Sequence, residues 1–385
     1  MYSKLLYEHA ERSGTNQEFQ SLVLGFVTHS NRPLRLIELT SAINSMPNRA
    51  GLSSSQDTKA CIRNCCGPLL EVCEDEVLQI IHHSLTEYLT GSDVSHVQMS
   101  ADDMERFPVL EADNIHASIA IVCIQYMSSG VFEANEVEKR CTADHCSLSR
   151  DGDVCCMDDA CNADRDIRDL TLLYPFIAYA IKFWSSHARA VSAAKSATLY
   201  IHMNTFMQSE SHDFECWLDT WPGLVSHVPK GFTPLHVAAY CGIKGYVEKL
   251  LSSGANTSVE DAFARTPMLY AAMNGRTEIV DMLMQFGGVT SHTDSIGLSA
   301  VHMASSHAVT LDTLLRHGAD PLLNNPYRDH DYEERRPERT NRRARATNIL
   351  HDIVVQGYVE SLNVLLAHVA KSEITQESFF VSAPS

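Results

Sequence analysis

The sequence predicts a mainly helical protein with a repeat stack at its C-terminal end. Three observations predict this. Short stretches recur with a spacing of 33 residues, so that Thr233-Pro234 returns as Thr266-Pro267, Gly242 as Gly275 and Gly254 as Gly287. Upstream, apolar residues fall at helical spacing in most segments, with a single hairpin signal around Glu74-Asp75-Glu76. Finally, 44% hydrophobic and 20% charged residues over 385 positions provide enough apolar material for two or three cored domains.

Residues 1–100 read as helix, helix, helix, hairpin, helix. "EFQSLVLGFVTHS" carries one apolar face, "RPLRLIELTSAI" starts after a proline, and "DTKACIRNCC" supplies the third helix. "PLLEVCEDEVLQIIH" reads as two strands around the acidic turn. Three helices and a hairpin form a winged-helix pattern. Such a fold can bind DNA through a basic third helix, but here that helix offers only Lys59 and Arg63 beside an acidic wing. "IIHHSLTEYL" packs two histidines, a serine and a glutamate together. Ser84 with Glu87 three residues on reads as a capping box opening a helix, and His83 with Glu87 is the residual two-ligand metal pair.

Residues 101–210 read as a helical linker domain built on "NIHASIAIVCIQYM" and "LLYPFIAYAIKFWSSHAR". The apolar run "ASIAIVCIQYM" is too short to span a bilayer. A cysteine-rich insertion at about 138–166 interrupts this domain. Cys141 and Cys146 are separated by four residues, as are Cys156 and Cys161; Cys155 is a fifth cysteine and His145 a spare ligand. Four thiolates can close a tetrahedral zinc site, yet no C-x-x-C is present, so the expectation is a polar acidic loop without metal.

Residues 211–372 hold four repeat copies, at about 229–258, 262–291, 295–322 and 346–370, and 373–385 reads as a disordered tail. The third copy keeps register at Gly297, Ser299 and His302 but reaches Gly318 two residues early, which predicts a shortened inter-helix turn. In the fourth, His351 precedes Gly357 by six residues, as His236 precedes Gly242. Ala238, Ala239, Ala271 and Ala272 are small enough for close helix stacking, and Leu250, Leu251, Leu283, Leu314 and Leu315 form a face that one unit cannot bury alone. Pro234 and Pro267 suit first helical turns, and Gly254, Gly287 and Gly318 suit left-handed helix ends. An insertion at 324–346 carries Arg335, Arg336, Arg339, Arg342, Arg343 and Arg345. It reads as a solvated segment, with a nuclear-import or anion-binding patch as the sharper alternative.

The T-P-L-H opening, A-A, G at the inter-helix turn and L-L-x-x-G-A close resemble the ankyrin repeat. That resemblance makes His236 and His302 structural. It also places partner contacts at hairpin tips and first-helix ends, here Lys230, Phe232, Tyr240, Phe263, Arg265, Met273, Asn274, Ile296, Leu298 and His307. Exposed aromatic and aliphatic residues beside cations suit protein recognition. Upstream, "MYSKLLYEHAERSG", "VTHSNRPLRLIEL", "CGPLLEV" and "IIHHSLTEYL" are similar to the winged-helix segment of fungal NACHT–ankyrin proteins, and the linker segments to the helical part that follows it. No G-x-x-x-x-G-K-[ST] occurs, so the nucleotide-binding core of that family is expected to be missing, and nucleotide hydrolysis does not carry over.

The functional expectation is therefore an interaction protein, not an enzyme, with a protein partner and no cofactor. No H-E-x-x-H, nucleophile elbow or dinucleotide fingerprint is present. A formal net charge of −18 argues against nucleic acid or an anionic membrane as partner of the whole chain. The N-terminus has no apolar secretory stretch, so the twelve cysteines read as thiols of a reducing compartment. The expected location is the cytoplasm, with the nucleus as alternative through the arginine insertion or the winged helix.

Overall fold

The computed structural model describes residues 2–48, 51–53, 56–91, 107–132, 170–208, 211–220, 231–320 and 349–369. The cysteine-rich and arginine-rich insertions lie outside the described residues, and so does the zinc reading of Cys141, Cys146, Cys156 and Cys161. The chain divides into two compact units, Met1–Val228 and Pro229–Ser385.

The first unit opens with α1 (Tyr2–Ser13), which the sequence pattern did not single out as a helix. The three expected helices follow as α2 (Gln17–His29), α3 (Leu36–Ser45) and α4 (Thr58–Cys65). Asn16 caps α2 by accepting from the Phe19 amide, and Asp57 caps α4 by accepting from the Lys59 amide. Strands β1 (Leu70–Val72) and β2 (Leu78–Ile80) pair antiparallel, with Leu70 opposite Ile80 and Val72 opposite Leu78. Their turn ends at Glu76, which adopts a left-handed φ of 63°. Glu76 also accepts from Lys59 Nζ at 2.8 Å and lies 3.7 Å from Arg63. The basic pair of the third predicted helix is therefore already spent on the hairpin's own carboxylate, and those cations hold the Glu76 carboxyl below the usual range.

The capping box expected at Ser84 and Glu87 does not form. Helix α5 (His83–Thr90) starts one residue ahead of Ser84, and His82 is its cap, with Nδ1 accepting from the Ser84 amide at 3.2 Å. The Ser84 hydroxyl is engaged elsewhere, 2.5 Å from the Tyr2 hydroxyl of α1 and 2.7 Å from His82 Nδ1. His83 and Glu87 form an exposed i,i+4 pair at 3.3 Å.

Helix α6 (Ala112–Met127) is apolar almost all round and packs along α7 (Ile177–Ala190). It lies so close to α2 that a Cβ on Gly25 would come within 2.8 Å of Ile115 Cδ1. Beyond them, α8 (Ala197–Phe206) and α9 (His212–Thr220) meet α7 in an aromatic cluster, in which Trp184 and Trp217 stand edge to face at 5.4 Å with Phe206 and Phe214 around them.

The joint of α2, α6 and α7 also buries a polar chain. Asn31 N lies 3.1 Å from the Tyr179 hydroxyl, which lies 2.7 Å from His187 Nε2, and His187 Nδ1 lies 2.8 Å from His116 Nδ1. One proton per contact satisfies it when the amide donates to the tyrosine, the tyrosine to His187 and His187 to His116. His29 stands edge-on to His116 at 5.4 Å. This chemistry requires neutral imidazoles. Burial lowers all three pKa values, helped at His29 by neighbouring His116 and at His187 by both other rings, while Asp113 opposes the shift at His116. Fully buried His187 is pushed down to about 3.

The second unit is a row of helix pairs: α10 (Pro234–Cys241) with α11 (Lys244–Ser252), α12 (Pro267–Met273) with α13 (Thr277–Gln285), and α14 (Ala300–Met303) with α15 (Ala308–Arg316). The fourth pair is α16 (Ile349–Gln356) and α17, over 359–369. The two-residue deletion in the third copy falls on the helix, not on the turn as expected: α14 has four residues where α10 has eight. Successive second helices are bridged by Lys244–Glu278, Asp281–His317 and Asp312–His368, each at 2.8 Å.

A group held neutral in the fold at a pH where the free imidazole charges must lose stability as pH falls. The unfolded chain takes up protons near the ordinary histidine value while folded His187 does not, so stability is full above about pH 7 and declines below it, by at most about 1.4 kcal/mol per pH unit and histidine. Urea unfolding followed by tryptophan fluorescence should show a lower midpoint at about pH 5.5 than at about pH 7.5. His187→Gln should flatten that dependence, and equal slopes in the two proteins would remove the histidine joint as its cause.

Candidate partner-binding surface

The surface begins with the hairpins that precede each first helix. Their tips use a left-handed residue at a 33-residue interval: Gly231 at φ 87°, Ala264 at 54° and Gly297 at 80°. Among the described tips, only the second places a side-chain-bearing residue there, a conformation that costs roughly 1 kcal/mol for a non-glycine.

A buried aspartate closes the second and the third of these turns. Asp261 Oδ1 accepts from the amides of Phe263 and Arg265 at 2.8 and 2.9 Å, and Asp294 Oδ1 accepts from those of Ile296 and Leu298 at 3.1 and 2.8 Å. The second oxygen of each reaches further. Asp261 Oδ2 accepts from the Tyr270 hydroxyl at 2.5 Å, and burial with the adjoining carboxylate drives that phenol far up. Asp294 Oδ2 accepts from Arg265 Nε at 3.2 Å, which ties the second hairpin to the third. The Ser295 amide donates to the Phe263 carbonyl at 2.8 Å across the same gap.

Two further clamps repeat in register. His236 Nδ1 accepts from the Thr233 amide at 3.0 Å, and its Nε2 contacts the Arg265 carbonyl of the next hairpin at 3.0 Å. His302 Nδ1 stands in the same way 3.3 Å from the Ser299 amide, so both histidines act within the hairpin-to-helix junction, the structural place the sequence motif implied. At the other end of the first helices, Arg276 Nε donates to the Tyr240 carbonyl at 3.3 Å and His307 Nε2 to the Met273 carbonyl at 3.1 Å. Each of these side chains lies over a glycine of the preceding repeat, because a Cβ on Gly242 would meet Arg276 at 2.8 Å and one on Gly275 would meet His307 at 2.7 Å.

The residues expected to meet a partner therefore take different places. Phe263 and Ile296 are exposed at 37% and 56%, at equivalent positions of adjacent tips. Phe232 is only 8% exposed; it stacks on His236 at 5.2 Å and stands edge-on to Tyr270 at 5.1 Å, so it serves packing. Arg265 is largely covered, with its guanidinium held between Asp294 and the rings of Phe263 and Tyr270. Tyr240, Met273, Asn274, Leu298 and His307 are half-buried. Asn274 donates to the Tyr270 carbonyl at 3.2 Å. Lys230 lies outside the described residues. Sequence reasoning missed Asp261, Asp294, Tyr270 and Arg276. The two aspartates are 33 residues apart, a signal already present in the repeat register.

The comparisons with known proteins agree with this geometry. A family model for ankyrin repeats, in three copies, matches residues 235–325, so the C-terminal region contains ankyrin repeats. Inversin from Danio rerio is 31% identical over 78 residues, covering 20% of this chain and 8% of that protein. The B-cell lymphoma 3 protein homolog of Mus musculus is 34% identical over 103 residues, covering 26% and 23%. Ankyrin repeat and SOCS box protein 5 of Bos taurus is 34% identical over 94 residues, covering 24% and 28%. The chain spans less than a third of the length of each of these relatives.

Two substitutions separate support from strain. Arg265→Ala leaves Asp294 buried with one uncompensated oxygen and should cost about 2–3 kcal/mol in chemical denaturation. Ala264→Gly relieves the left-handed backbone and should leave stability unchanged or raise it by up to about 1 kcal/mol. A loss of stability in Ala264→Gly would show that the tip carries no backbone strain.

Proposed function

We propose that the ankyrin repeats hold another protein through the hairpin tips and first-helix ends, by binding alone and without chemistry. One observation carries this reading: Phe263 and Ile296 expose apolar side chains at equivalent tips whose backbones are fixed by buried aspartates. A rigid loop loses little conformational entropy when a partner arrives, so apolar area at such a tip converts well into affinity. Tyr240, Met273, Asn274, Leu298 and His307, half-buried at the hairpin and the first-helix ends, complete the proposed contact, and the repeat register adds Lys230 to it. Phe232 and Arg265 support it from beneath.

The described parts of the first unit fit the role of a helical scaffold with a winged-helix-like beginning, related to NACHT–ankyrin proteins. In that setting the chain works as an adaptor or scaffold. The nuclear alternative loses one of its two supports, because Lys59 and Arg63 are paired with Glu76 and not free for phosphate. The cysteines described as free thiols suit the cytoplasm as the proposed compartment.

Proximity labelling with the full chain tests the surface. Phe263→Ala with Ile296→Ala should reduce recovery of the main labelled partner by more than tenfold while leaving helicity unchanged, since both residues lie on hairpin tips outside the helices. Unchanged recovery would dismiss the tips as the contact. Redistribution to the nucleus with the same partner set would favour the nuclear reading instead.

A further inference from the structure

A cleft between two connecting segments of the repeat stack holds more hydrogen-bonding groups than the fold uses. It lies between the segment after α11, with Thr257 and Ser258, and the segment after α13, with Val289, Ser291 and His292. Thr266 and Met268, where α12 begins, line its buried side, and its volume is about 330 Å³. Sites for small ligands start at about 300 Å³. Thr266 is the telling residue. Its counterparts in the first and third repeats are satisfied, with Thr233 Oγ1 2.9 Å from His236 Nδ1 and Ser299 Oγ 2.9 Å from His302 Nδ1. In the second repeat Leu269 stands in the histidine's place and offers no acceptor. Thr266 is 4% exposed, and its Oγ1 has no hydrogen-bond partner. A buried hydroxyl left unmet is unfavourable, and a polar group arriving in the cleft removes that cost.

The other polar groups of the lining are open as well. Among the described residues, the hydroxyls of Thr257, Ser258 and Ser291 make no hydrogen bond. His292 Nε2 donates to the Ala264 carbonyl at 2.7 Å, which leaves Nδ1 as an acceptor. The walls are already fixed. A Cβ on Gly288 would come within 2.7 Å of the Leu283 carbonyl oxygen and 3.0 Å of Met268 Cε, so this segment sits hard against α12. On the other side the Ser258 amide donates to Asn256 Oδ1 at 2.9 Å. A cleft held in this way needs little ordering when a ligand arrives.

The lining sets the chemistry of the ligand. It contains no lysine, arginine, aspartate or glutamate. An anion would find no such cation there, and Glu260, 3.9 Å from His292 Nε2, would repel it. A cation inside the cleft would meet hydroxyls and no lining carboxylate. Four hydroxyls that both donate and accept, with one imidazole acceptor, match a ligand whose own hydroxyls do both. Met268 and Val289 add apolar surface beside them, which suits the C–H face of a ring carrying hydroxyls at its edge. We propose that this cleft binds a neutral polyhydroxylated ring of hexose size, one hydroxyl completing Thr266 and another donating to His292 Nδ1. The exposed tip residues Phe263 and Ile296 are not among its lining, and the proposal stands independently of what the tips bind.

Saturation-transfer NMR on the full chain tests this with glucose, galactose, mannose, N-acetylglucosamine and myo-inositol, and with glucose 6-phosphate as the charged probe. At least one neutral probe should bind, with a dissociation constant on the order of 1 mM, the strength open to so small a ligand. Glucose 6-phosphate should bind at least tenfold more weakly than the best neutral probe. Thr266→Val should weaken that binding at least tenfold without lowering the midpoint of chemical denaturation, because the hydroxyl it removes has no partner inside the fold. Ser291→Ala, at an exposed position, should weaken it several-fold, and Phe263→Ala with Ile296→Ala should leave it unchanged. No saturation transfer from any neutral probe at about 50 mM would overturn the proposal. So would binding indifferent to Thr266→Val and Ser291→Ala, or a preference for the phosphorylated sugar. A Thr266→Val chain that unfolds at lower denaturant would overturn it too, since the hydroxyl would then have an internal partner.

Discussion

A helix pair of some thirty residues cannot cover its own apolar face, and the second half of this protein is organised around that constraint. Burial of Ala239 or Leu251 is complete only because another pair follows. Apolar stacking by itself would tolerate sliding. The polar groups at the joints remove that freedom, because each reaches one repeat away to a fixed backbone or carboxylate. His236 meets the carbonyl of Arg265, Arg276 that of Tyr240, and His307 that of Met273. Hydrogen bonds are directional where dispersion is not, so these contacts set register while the leucines and alanines supply the driving force. The hairpin tips inherit their alignment from this.

The repeats were legible because a 33-residue period is a property of the linear chain and each marked residue has a local job. Prolines open first helices, glycines take φ values near 80°, and small residues sit where helices touch. Exposure was less legible, because it depends on neighbours that no motif names. Phe232 and Phe263 both occupy hairpins and look alike in sequence, yet only the first has Tyr270 and His236 against its ring. Arg265 looks like a tip cation until the Asp294 oxygen 3.2 Å away is seen. The aspartates themselves could have been found by aligning the repeats at Asp261 and Asp294 rather than by motif.

In the N-terminal unit the pattern of helices and hairpin was readable from periodicity, but the site-like cluster at 80–89 was not. Two residues decide it. Ser84 has the right chemistry for a cap, but its hydroxyl is occupied by Tyr2, from a helix that the pattern had not marked. His82, whose ring nitrogen stands in as the cap acceptor, is not a residue that propensity favours there. The histidine group with structural consequence lies instead at His29, His116 and His187, on three helices far apart in sequence. No spacing rule connects positions 29, 116 and 187; only the close approach of α2 to α6 at Gly25 and of α6 to α7 does.

The distribution of positive charge bears on how the molecule can recognise a partner. Many described cations already have a carboxylate within reach: Arg32 with Glu38, Lys59 and Arg63 with Glu76, Lys244 with Glu278, Arg265 with Asp294 and Arg316 with Asp312. On a chain this acidic, pairing leaves a surplus of carboxylates to dominate the long-range field. That field steers encounters and rejects acidic partners, but it falls off within about a Debye length and adds little once contact is made. Short-range affinity then has to come from the few places where apolar side chains reach solvent on a rigid backbone. Phe263 and Ile296 are such places on the hairpins. That pair is small and braced by buried carboxylates, which suits selective docking of a different protein.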